Sequence, residues 1–403
     1  MSAEGAADLS ASSQVWRSAS RGPPWCAARS PSGLSGASRS IIPAEMPTPL
    51  DQYGWNASFA AAFAEHAGEG RVPGRVVLEH THIYRVGTAD GELLARVSGR
   101  LRHRAESRPD FPAVGDWVVV EPVADSDARL HAVLPRFSRF SRRVAGDTTE
   151  EQIVAANIDI VFLVGGLDGD FNPRRIERYL VVAWESGATP VVVLNKADLV
   201  TDPARLVEEV EAVAPGVRVH AVSTRQTETI EVLRQYVAAG RTAALLGSSG
   251  VGKSTIANRL IGHDLLRTQD VRITDSRGRH TSTARQMVLL EGGGILIDTP
   301  GMRELQLWDS GEALGDAFAD VEAIAESCRF RDCRHLREPA CAVRAAVAAG
   351  TLSTVRLESY HKLEAERAQQ VKQLDARASL DDKRRGKVQT RALNKHLKEK
   401  GAR

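Results

Sequence analysis

The chain has few cysteines, few aromatic residues and no long apolar run, and these features exclude several classes of protein. Cysteine occurs only 4 times in 403 residues, and aromatic residues make up 5% of the sequence. Disulfide-stabilised secreted domains are richer in cysteine, so we predict a reducing, cytoplasmic setting. No apolar run reaches the roughly 20 residues that a transmembrane helix needs, so we expect no membrane partner. With 42% hydrophobic residues, a chain of this length can bury more than one core.

The chain also has no large excess of positive or negative charge. Lysine and arginine number 53 against 51 acidic residues, which gives a formal net charge of +2. The N-terminal residues 1–45 are rich in Ser, Ala, Gly, Pro and Arg and have no hydrophobic periodicity. Such a stretch cannot bury a core, so we predict a disordered extension without a function. Its composition would also suit a transit peptide. Residues 46–70 are predicted to form a helical lead-in, with a helix around 57–67.

The strongest motif that is present is a phosphate-binding P-loop. A short apolar strand is predicted at 242–246 and an apolar-periodic helix at 255–261, as the motif requires. Lys253 is expected to reach the β- and γ-phosphates, and Ser254 can bind Mg²⁺. The alternative is a glycine- and serine-rich loop that binds nothing. The predicted nucleotide contacts are Gly247, Ser248, Ser249, Gly250, Val251, Gly252, Lys253, Ser254 and Thr255.

A second motif, Asn195-Lys196-Ala197-Asp198, precedes the P-loop and ends the predicted strand 190–194. Ligands bind at the carboxyl ends of strands in open α/β sheets. Asp198 would accept hydrogen bonds from guanine, whereas adenine would leave its carboxylate unpaired. Asn195 and Lys196 would contact and support the base and the P-loop. Four polar residues can also form a solvated turn, but the P-loop favours the guanine interpretation.

Three further elements complete a nucleotide site. The predicted strand 294–298 ends in Asp298-Thr-Pro-Gly301, which supplies a carboxylate near Mg²⁺ and a glycine that senses the γ-phosphate. The predicted strand 217–224 could present the backbone N–H of Ser223 to guanine. The polar loop 278–283, which precedes Asp298, is of the kind that closes over Mg²⁺ and the γ-phosphate. The base-reading half therefore comes before the phosphate-binding half, which reverses the usual order and indicates a circularly permuted GTPase.

A cysteine cluster lies beyond these motifs. Cys328, Cys333, His335 and Cys341 fall within fourteen residues and suit one closed, structural zinc site with Cys₃His ligands. The alternatives are reduced buried thiols or a disulfide, which would leave one of the three thiols over. The histidine between the cysteines favours zinc. The fourth cysteine, Cys26, lies in the N-terminal extension.

The remaining segments are strand-rich or basic. Short strands separated by turn residues between about 71 and 145 predict a small β-barrel. Arginines in 100–104, and arginines alternating with phenylalanines in 136–143, would suit RNA on the barrel surface. A solvated surface with core aromatics is the alternative. The C-terminal tail from Leu357 is helix-compatible and ends in a basic block over 383–400, which is typical of a nucleic-acid-binding arm.

From about residue 70 to near the C-terminus, these motifs and their order resemble the circularly permuted GTPases that depend on the small ribosomal subunit. The resemblance implies a multidomain fold: an all-β OB-fold barrel that binds RNA (71–145), an α/β permuted GTPase domain (146–310), and a mostly α-helical zinc-binding domain with a basic tail (311–403). It implies a monomeric GTP hydrolase that binds GTP or GDP with Mg²⁺ and engages the 30S subunit and its 16S rRNA. Hydrolysis would be activated by 30S binding and coupled to late subunit maturation. The alternatives are an RNA-binding scaffold with a weakly hydrolysing site, or a P-loop ATPase or kinase.

The residue that positions the attacking water is not the usual one. Many GTPases have a glutamine directly after Asp-x-x-Gly, whereas this chain has Met302. His280 in the polar loop is the best candidate, and the resemblance implies that role for it. A histidine there could instead contact phosphate or RNA. The family has a run of threonines after this histidine, whereas the chain has Thr281, Ser282 and Thr283 as candidate Mg²⁺ ligands.

Overall fold

The computed structural model describes residues 49–372, except 69, 81, 125, 144–150, 170, 264–284, 299–310 and 370. The predictions for the extension 1–45 and for the basic block 383–400 therefore lie outside the described residues. Within the described part, a β-barrel, an α/β region and a helical C-terminal region follow one another along the chain.

Five strands form a closed barrel after a short helix. Helix α1 (Ala57–Ala64) begins at Asn56, whose side chain accepts hydrogen bonds from the first-turn amides. The strands pair in the order β1-β2-β3-β5-β4, and β4 pairs back onto β1, which closes the barrel. Helix α2 (Gly99–Arg104) lies between β3 and β4. The barrel strands are β1 (Val72–His80), β2 (Ile83–Thr88), β3 (Gly91–Val97), β4 (Trp117–Ala124) and β5 (Asp127–Val133).

The closed barrel confirms the predicted OB-like fold. The prediction that the arginines and phenylalanines of 136–143 lie on an RNA-facing barrel surface was wrong in part. Strand β6 (Arg139–Arg143) pairs with β7 (Glu151–Ala156) in a separate two-stranded sheet. Phe140 is buried in the core. Arg136 forms an ion pair of 2.7 Å with the fully buried Asp116. These two side chains stabilise the fold and are not available to RNA, because Phe140 is buried and Arg136 is paired with Asp116. The elements that pack on a strand decide which of its faces is buried.

The α/β region is built on a parallel sheet whose strands run in the order β10-β9-β8-β11-β13. Antiparallel β12 covers its edge. The central strands of this sheet are apolar and buried on both faces, as expected for a parallel sheet. The strands are β8 (Ile160–Gly166), β9 (Thr189–Asn195), β10 (Arg218–Ala221), β11 (Thr242–Gly247), β12 (Arg285–Leu289) and β13 (Ile295–Asp298). The helices are α3 (Pro173–Ser186), α4 (Pro203–Val213), α5 (Thr227–Arg234) and α6 (Lys253–Ile261).

The barrel and the α/β region share one sheet. Strand β12 pairs with β1 through Leu78 opposite Gln286 and Glu79 opposite Arg285. The buried guanidinium of Arg75 donates to the carbonyls of Tyr53, Gly115 and Asn157. Burial lowers the pKa of Arg75 to about 10. Because these bonds join three chain segments, the barrel is fixed against the nucleotide-binding part.

The C-terminal region is helical, as predicted. Its helices are α7 (Gly311–Ala317), α8 (Ala319–Ala325), α9 (Ala342–Ala348) and α10 (354–369). The loop between α8 and α9 carries the cysteine cluster. Among the described residues, no helix combines the length and apolar character that crossing a membrane requires.

Candidate nucleotide site and metal centre

The carboxyl ends of the central strands meet at one edge of the parallel sheet. Asn195 ends β9 and pairs with Gly166 of β8, while Gly247 ends β11 and pairs with Val164 of β8. Asp298 ends β13, which lies parallel to β11. The fold therefore brings together the base-reading motif, the P-loop and the Asp298 carboxylate, although 103 residues separate Asn195 from Asp298 along the chain.

The P-loop needs its glycines at two positions. Gly252 has φ +97°, and a Cβ there would collide with the side-chain amide of Asn195. A Cβ at Gly247 would collide with the carbonyl of Val164. Helix α6 then begins at Lys253, whose ammonium donates to the carbonyls of Gly247 at 2.8 Å and Ser248 at 2.5 Å. The cation thus lies within the loop, while Ser254 and Thr255 form the first turn of α6.

Asn195 connects the two nucleotide loops. Its side-chain amide donates to the carbonyl of Val251 at 2.8 Å, and its Oδ1 accepts from the amide of Thr224 at 3.3 Å. The neighbouring Lys196 has φ +66°, and its ammonium lies 2.5 Å from the carboxylate of Asp168. The predicted base-binding loop is therefore held on both sides by side-chain contacts.

Asp198 is maintained as an anion. The hydroxyl of Ser223 donates to its Oδ1 at 2.6 Å, and Arg225 lies 3.2 Å from its Oδ2. The Ser223 hydrogen bond is the main reason that the pKa of Asp198 lies below its usual value. The backbone amide of Ala197 donates to the carbonyl of Val222 at 3.0 Å and aligns the two loops. An ionised carboxylate can accept two N–H bonds, as recognition of guanine requires.

Several residues of the site were not predicted from the sequence. Asp168 follows β8, and its position after a buried parallel strand could have signalled it. Arg225 and Arg175 could not be found in this way, because their contacts with Asp198 and with Ser248 (2.9 Å) depend on the fold. Five predicted site residues lie outside the described part of the chain: His280, Thr281, Ser282, Thr283 and Gly301.

The four predicted metal ligands come together between α8 and α9. Their ligand atoms, from Cys328, Cys333, His335 and Cys341, all lie within 4.8 Å of one another. The sulfurs of Cys328 and Cys341 are 3.9 Å apart, and Nδ1 of His335 lies 3.6 and 3.4 Å from them. A tetrahedral zinc ion would require about 3.8 Å between sulfurs and about 3.6 Å between sulfur and nitrogen. The cluster therefore fits a metal ion, and the three thiols are free of disulfides.

A carboxylate shapes the metal-binding loop. Glu338 accepts hydrogen bonds from the amides of Arg334 at 3.2 Å, Leu336 at 2.9 Å and Arg337 at 3.0 Å. Hydrogen bonds from its own amide and from these three lower the pKa of Glu338 to about 2. His335 is buried at φ +58°. The loop is thus held in the conformation that gathers the four ligands.

These features define a class of protein. A parallel sheet with a P-loop, and an Asn-Lys-x-Asp motif at the end of a neighbouring strand, form the site of a GTPase. Since the guanine-binding motif precedes the P-loop in the chain, the GTPase fold is circularly permuted.

Comparison with known proteins identifies the family. The family model described as RsgA GTPase matches residues 133–308. The small ribosomal subunit biogenesis GTPase RsgA of Opitutus terrae is 47% identical over 345 residues, which cover 82% of this chain and 94% of the relative. The protein of the same name from Streptomyces coelicolor is 46% identical over 351 residues, covering 85% and 94%. The chain belongs to the RsgA GTPase family and is a GTPase.

Two crystal structures have the same fold. That of YjeQ from Thermotoga maritima superposes with a TM-score of 0.57 at 28% identity, covering 74% of this chain and 99% of that protein. That of YloQ, described as a circularly permuted GTPase, superposes with a TM-score of 0.55 at 23% identity, covering 75% and 97%. The rotated motif order and the flanking barrel therefore belong to a known architecture.

Proposed function

We propose that this GTPase binds the small ribosomal subunit and couples GTP hydrolysis to late maturation of the subunit. The observation that supports the nucleotide part of the proposal is the hydrogen bond from Asn195 to Val251, which joins the proposed guanine-binding loop to the P-loop. In the chain, these loops lie between the barrel and the metal-binding region. The names of the relatives support the choice of partner, because they are small ribosomal subunit biogenesis GTPases. Ribosome assembly also implies a cytoplasmic protein, and we propose that it acts as a monomer.

The described residues would bind and orient the nucleotide. Asp198 accepts from guanine, and the P-loop amides and Lys253 hold the phosphates. Ser254 and Asp298 would hold Mg²⁺, which offsets phosphate charge when GTP is bound. Hydrolysis also needs a group that orients water, and we assign this to His280. A His280→Ala variant should bind GTP normally but lose stimulated turnover. The control His263→Ala, which replaces an exposed histidine two residues after α6, should keep it.

The Cys₃His cluster would hold one zinc ion with a structural role. All four ligands come from the protein, so no coordination position stays open for substrate. The ion would fix the loop between α8 and α9. This loop presents several exposed arginines and the exposed Phe330 to solvent: Arg329, Arg331, Arg334 and Arg337.

RNA contacts would come from three basic surfaces. Helix α2 of the barrel exposes Arg100, Arg102, His103 and Arg104. The arginines of the metal-binding loop form the second surface. The basic block 383–400 of the tail, which lies outside the described residues, would supply the third set of contacts. Arginine neutralises phosphate and stacks on unpaired bases, as in 16S rRNA. The barrel (71–145), GTPase (146–310) and zinc (311–403) domains are our proposed divisions.

Co-sedimentation with purified 30S particles tests the partner. The protein should pellet with small subunits in the presence of a non-hydrolysable GTP analogue and be released with GDP. Absence from the pellet in both states, from a preparation that still hydrolyses GTP, would leave a GTPase with a different partner. The 50S subunit serves as the control particle.

A further inference from the structure

Helix α3 connects the P-loop to the C-terminal helices. Near its start, Arg175 donates from Nη1 to the hydroxyl of Ser248 in the P-loop at 2.9 Å. Less than one turn later, Glu177 and Arg178 contact side chains of α10. Because the three residues lie within one helical turn, a rigid-body shift of α3 moves the backbone at all three contacts together.

The contact at Glu177 is a buried ion pair. Arg356 of α10, 4% exposed, lies 2.6 Å from Oε1 of Glu177, which is 2% exposed, and 2.8 Å from Asp320 of α8. Its guanidinium also donates to the carbonyls of Ala317 at 2.7 Å and Val213 at 3.1 Å. Burial alone would lower the pKa of Arg356, but the hydrogen bonds to Asp320 and Glu177 outweigh burial and raise the pKa. Arg356 therefore joins α3, α4, α7 and α8 to α10.

The buried pair of Glu177 and Arg356 fixes α3 against α10. Removing two charges from water costs much of what their attraction returns, so an intact buried pair contributes little net stability, whereas loss of one partner leaves an uncompensated buried charge and is strongly destabilising. Oε2 of Glu177 is buried without a hydrogen-bond partner among the described residues. Because only one oxygen of the Glu177 carboxylate is hydrogen-bonded within the described part of the chain, the carboxylate depends on its single contact with Arg356. A small displacement of α10 would therefore strongly change the energy of this contact. Arg178 adds a two-bond pair with Glu366 of α10, at 2.7 and 2.6 Å.

We propose that helix α3 transmits the position of the C-terminal helices to the P-loop, with Arg175 as the positioning residue. A partner that displaces α10 would shift α3 through Glu177 and shift the P-loop through the contact of Arg175 with Ser248. By reciprocity, the bound nucleotide biases the orientation of the C-terminal region. The inference rests on the proposed GTP site but not on the identity of the partner.

A double-mutant cycle tests the path. Affinities for GTP and GDP are measured with fluorescent nucleotides for Arg175→Ala, Glu177→Gln and the double variant, together with kcat and KM of unstimulated hydrolysis. Glu177→Gln should change the ratio of GTP to GDP affinity about fivefold or more, the usual range of coupling between sites. The same substitution should have no further effect when residue 175 is alanine. In the Arg175→Lys background, which keeps a cation near Ser248, Glu177→Gln should again produce most of the change in the ratio of GTP to GDP affinity.

Arg174→Ala is the matched control. Arg174 lies on the same helix and pairs with Glu358 of α10 at 3.2 Å, but both side chains are at least half exposed. Removing this exposed pair should leave the affinity ratio unchanged. Strictly additive effects of Arg175→Ala and Glu177→Gln would overturn the coupling while the GTPase assignment stands, whereas failure of the unaltered protein to bind GTP would remove the assignment itself. If Glu177→Gln does not fold, Glu366→Gln replaces it in the same cycle, with the same two outcomes.

Discussion

The side-chain amide of Asn195 donates a hydrogen bond of 2.8 Å to the backbone carbonyl of Val251 and joins loops that are 56 residues apart. Because Oδ1 of Asn195 also accepts from the amide of Thr224, one buried side chain holds the base-binding loop, the P-loop and the loop after β10. The two halves of the nucleotide site occur in reversed order in the sequence, and they meet at this residue.

Replacing Asn195 with alanine should weaken nucleotide binding more than it weakens the fold. The change leaves the carbonyl of Val251 without its partner, at a cost of about 1–3 kcal/mol. If that cost falls on the bound state, GTP and GDP affinities should drop by about 5- to 150-fold. Titration with fluorescent GDP measures the change.

Asn56→Ala is the control for this variant. Asn56 caps α1 through hydrogen bonds to the amides of Ser58 and Phe59, far along the chain from the nucleotide loops. Loss of such a cap costs about 1 kcal/mol of stability. It should lower the thermal midpoint without changing nucleotide affinity. Equal affinities for Asn195→Ala and Asn56→Ala would refute the role of Asn195.

Asp198→Asn should exchange one base preference for another. The amide can no longer accept two N–H bonds from guanine, so GTP affinity should fall by about 100-fold or more. The same amide can donate to the 2-oxo group of xanthine, so XTP should bind better than GTP. Competition among GTP, XTP and ATP against fluorescent GDP gives the order. ATP as the best competitor of the unaltered protein would contradict the guanine assignment.

How much of this site the sequence predicts depends on how local each feature is. The P-loop from Gly247 to Ser254 and the Asn195–Asp198 motif are contiguous, so their strand ends and turns follow from neighbouring residues. The short strands predicted between about 71 and 145 are present as β1 to β5, which form the barrel, and as β6, which lies in a separate sheet. The contacts of Arg175 with Ser248 and of Arg356 with Glu177 join residues from distant parts of the chain. Such contacts depend on how the helices pack, so no local sequence pattern predicts them.

Phe140 and Arg136 show the same limit. Their alternation with other arginines and phenylalanines indicated a surface, but the face that a strand buries is set by the elements packed on it. Phe140 fills the core and Arg136 neutralises the buried Asp116. The sequence pattern could identify a basic, aromatic stretch but not its orientation.

Removal of the metal should destabilise the C-terminal region. We expect one zinc ion per chain by elemental analysis and loss of that ion in Cys333→Ser. A metal site of this kind contributes directly to folding, and each kcal/mol lost from a domain lowers Tm by about 2–4 °C or more. The control Cys26→Ser, which changes a residue outside the described part, should keep both zinc and Tm. Full zinc content in Cys333→Ser would exclude that residue as a ligand.

Neutralising helix α2 should weaken binding to the small subunit. Replacing Arg100, Arg102 and Arg104 with alanine removes three exposed charges from the barrel. If each contacts one phosphate, affinity for 30S particles should fall at low salt. The slope of log K against log salt should decrease by about 0.7–0.9 for each lost contact. Filter binding at several salt concentrations measures both quantities.

A triple alanine variant at Arg205, Arg218 and Arg259 makes the same change in net charge on the α/β region, where all three side chains are exposed. It should keep the salt dependence of the unaltered protein. Equal losses in the two triple variants would mean that net charge, and not the barrel surface, governs binding.

The rate of GTP turnover as small subunits are added tests the proposed coupling to the small subunit most directly. A site without the usual water-positioning glutamine should be slow alone, and a partner that orders it should accelerate hydrolysis by orders of magnitude. We predict that phosphate release rises at least about 100-fold and saturates with 30S particles but not with 50S particles. A rate that stays at its basal value as 30S particles saturate the protein would contradict the account.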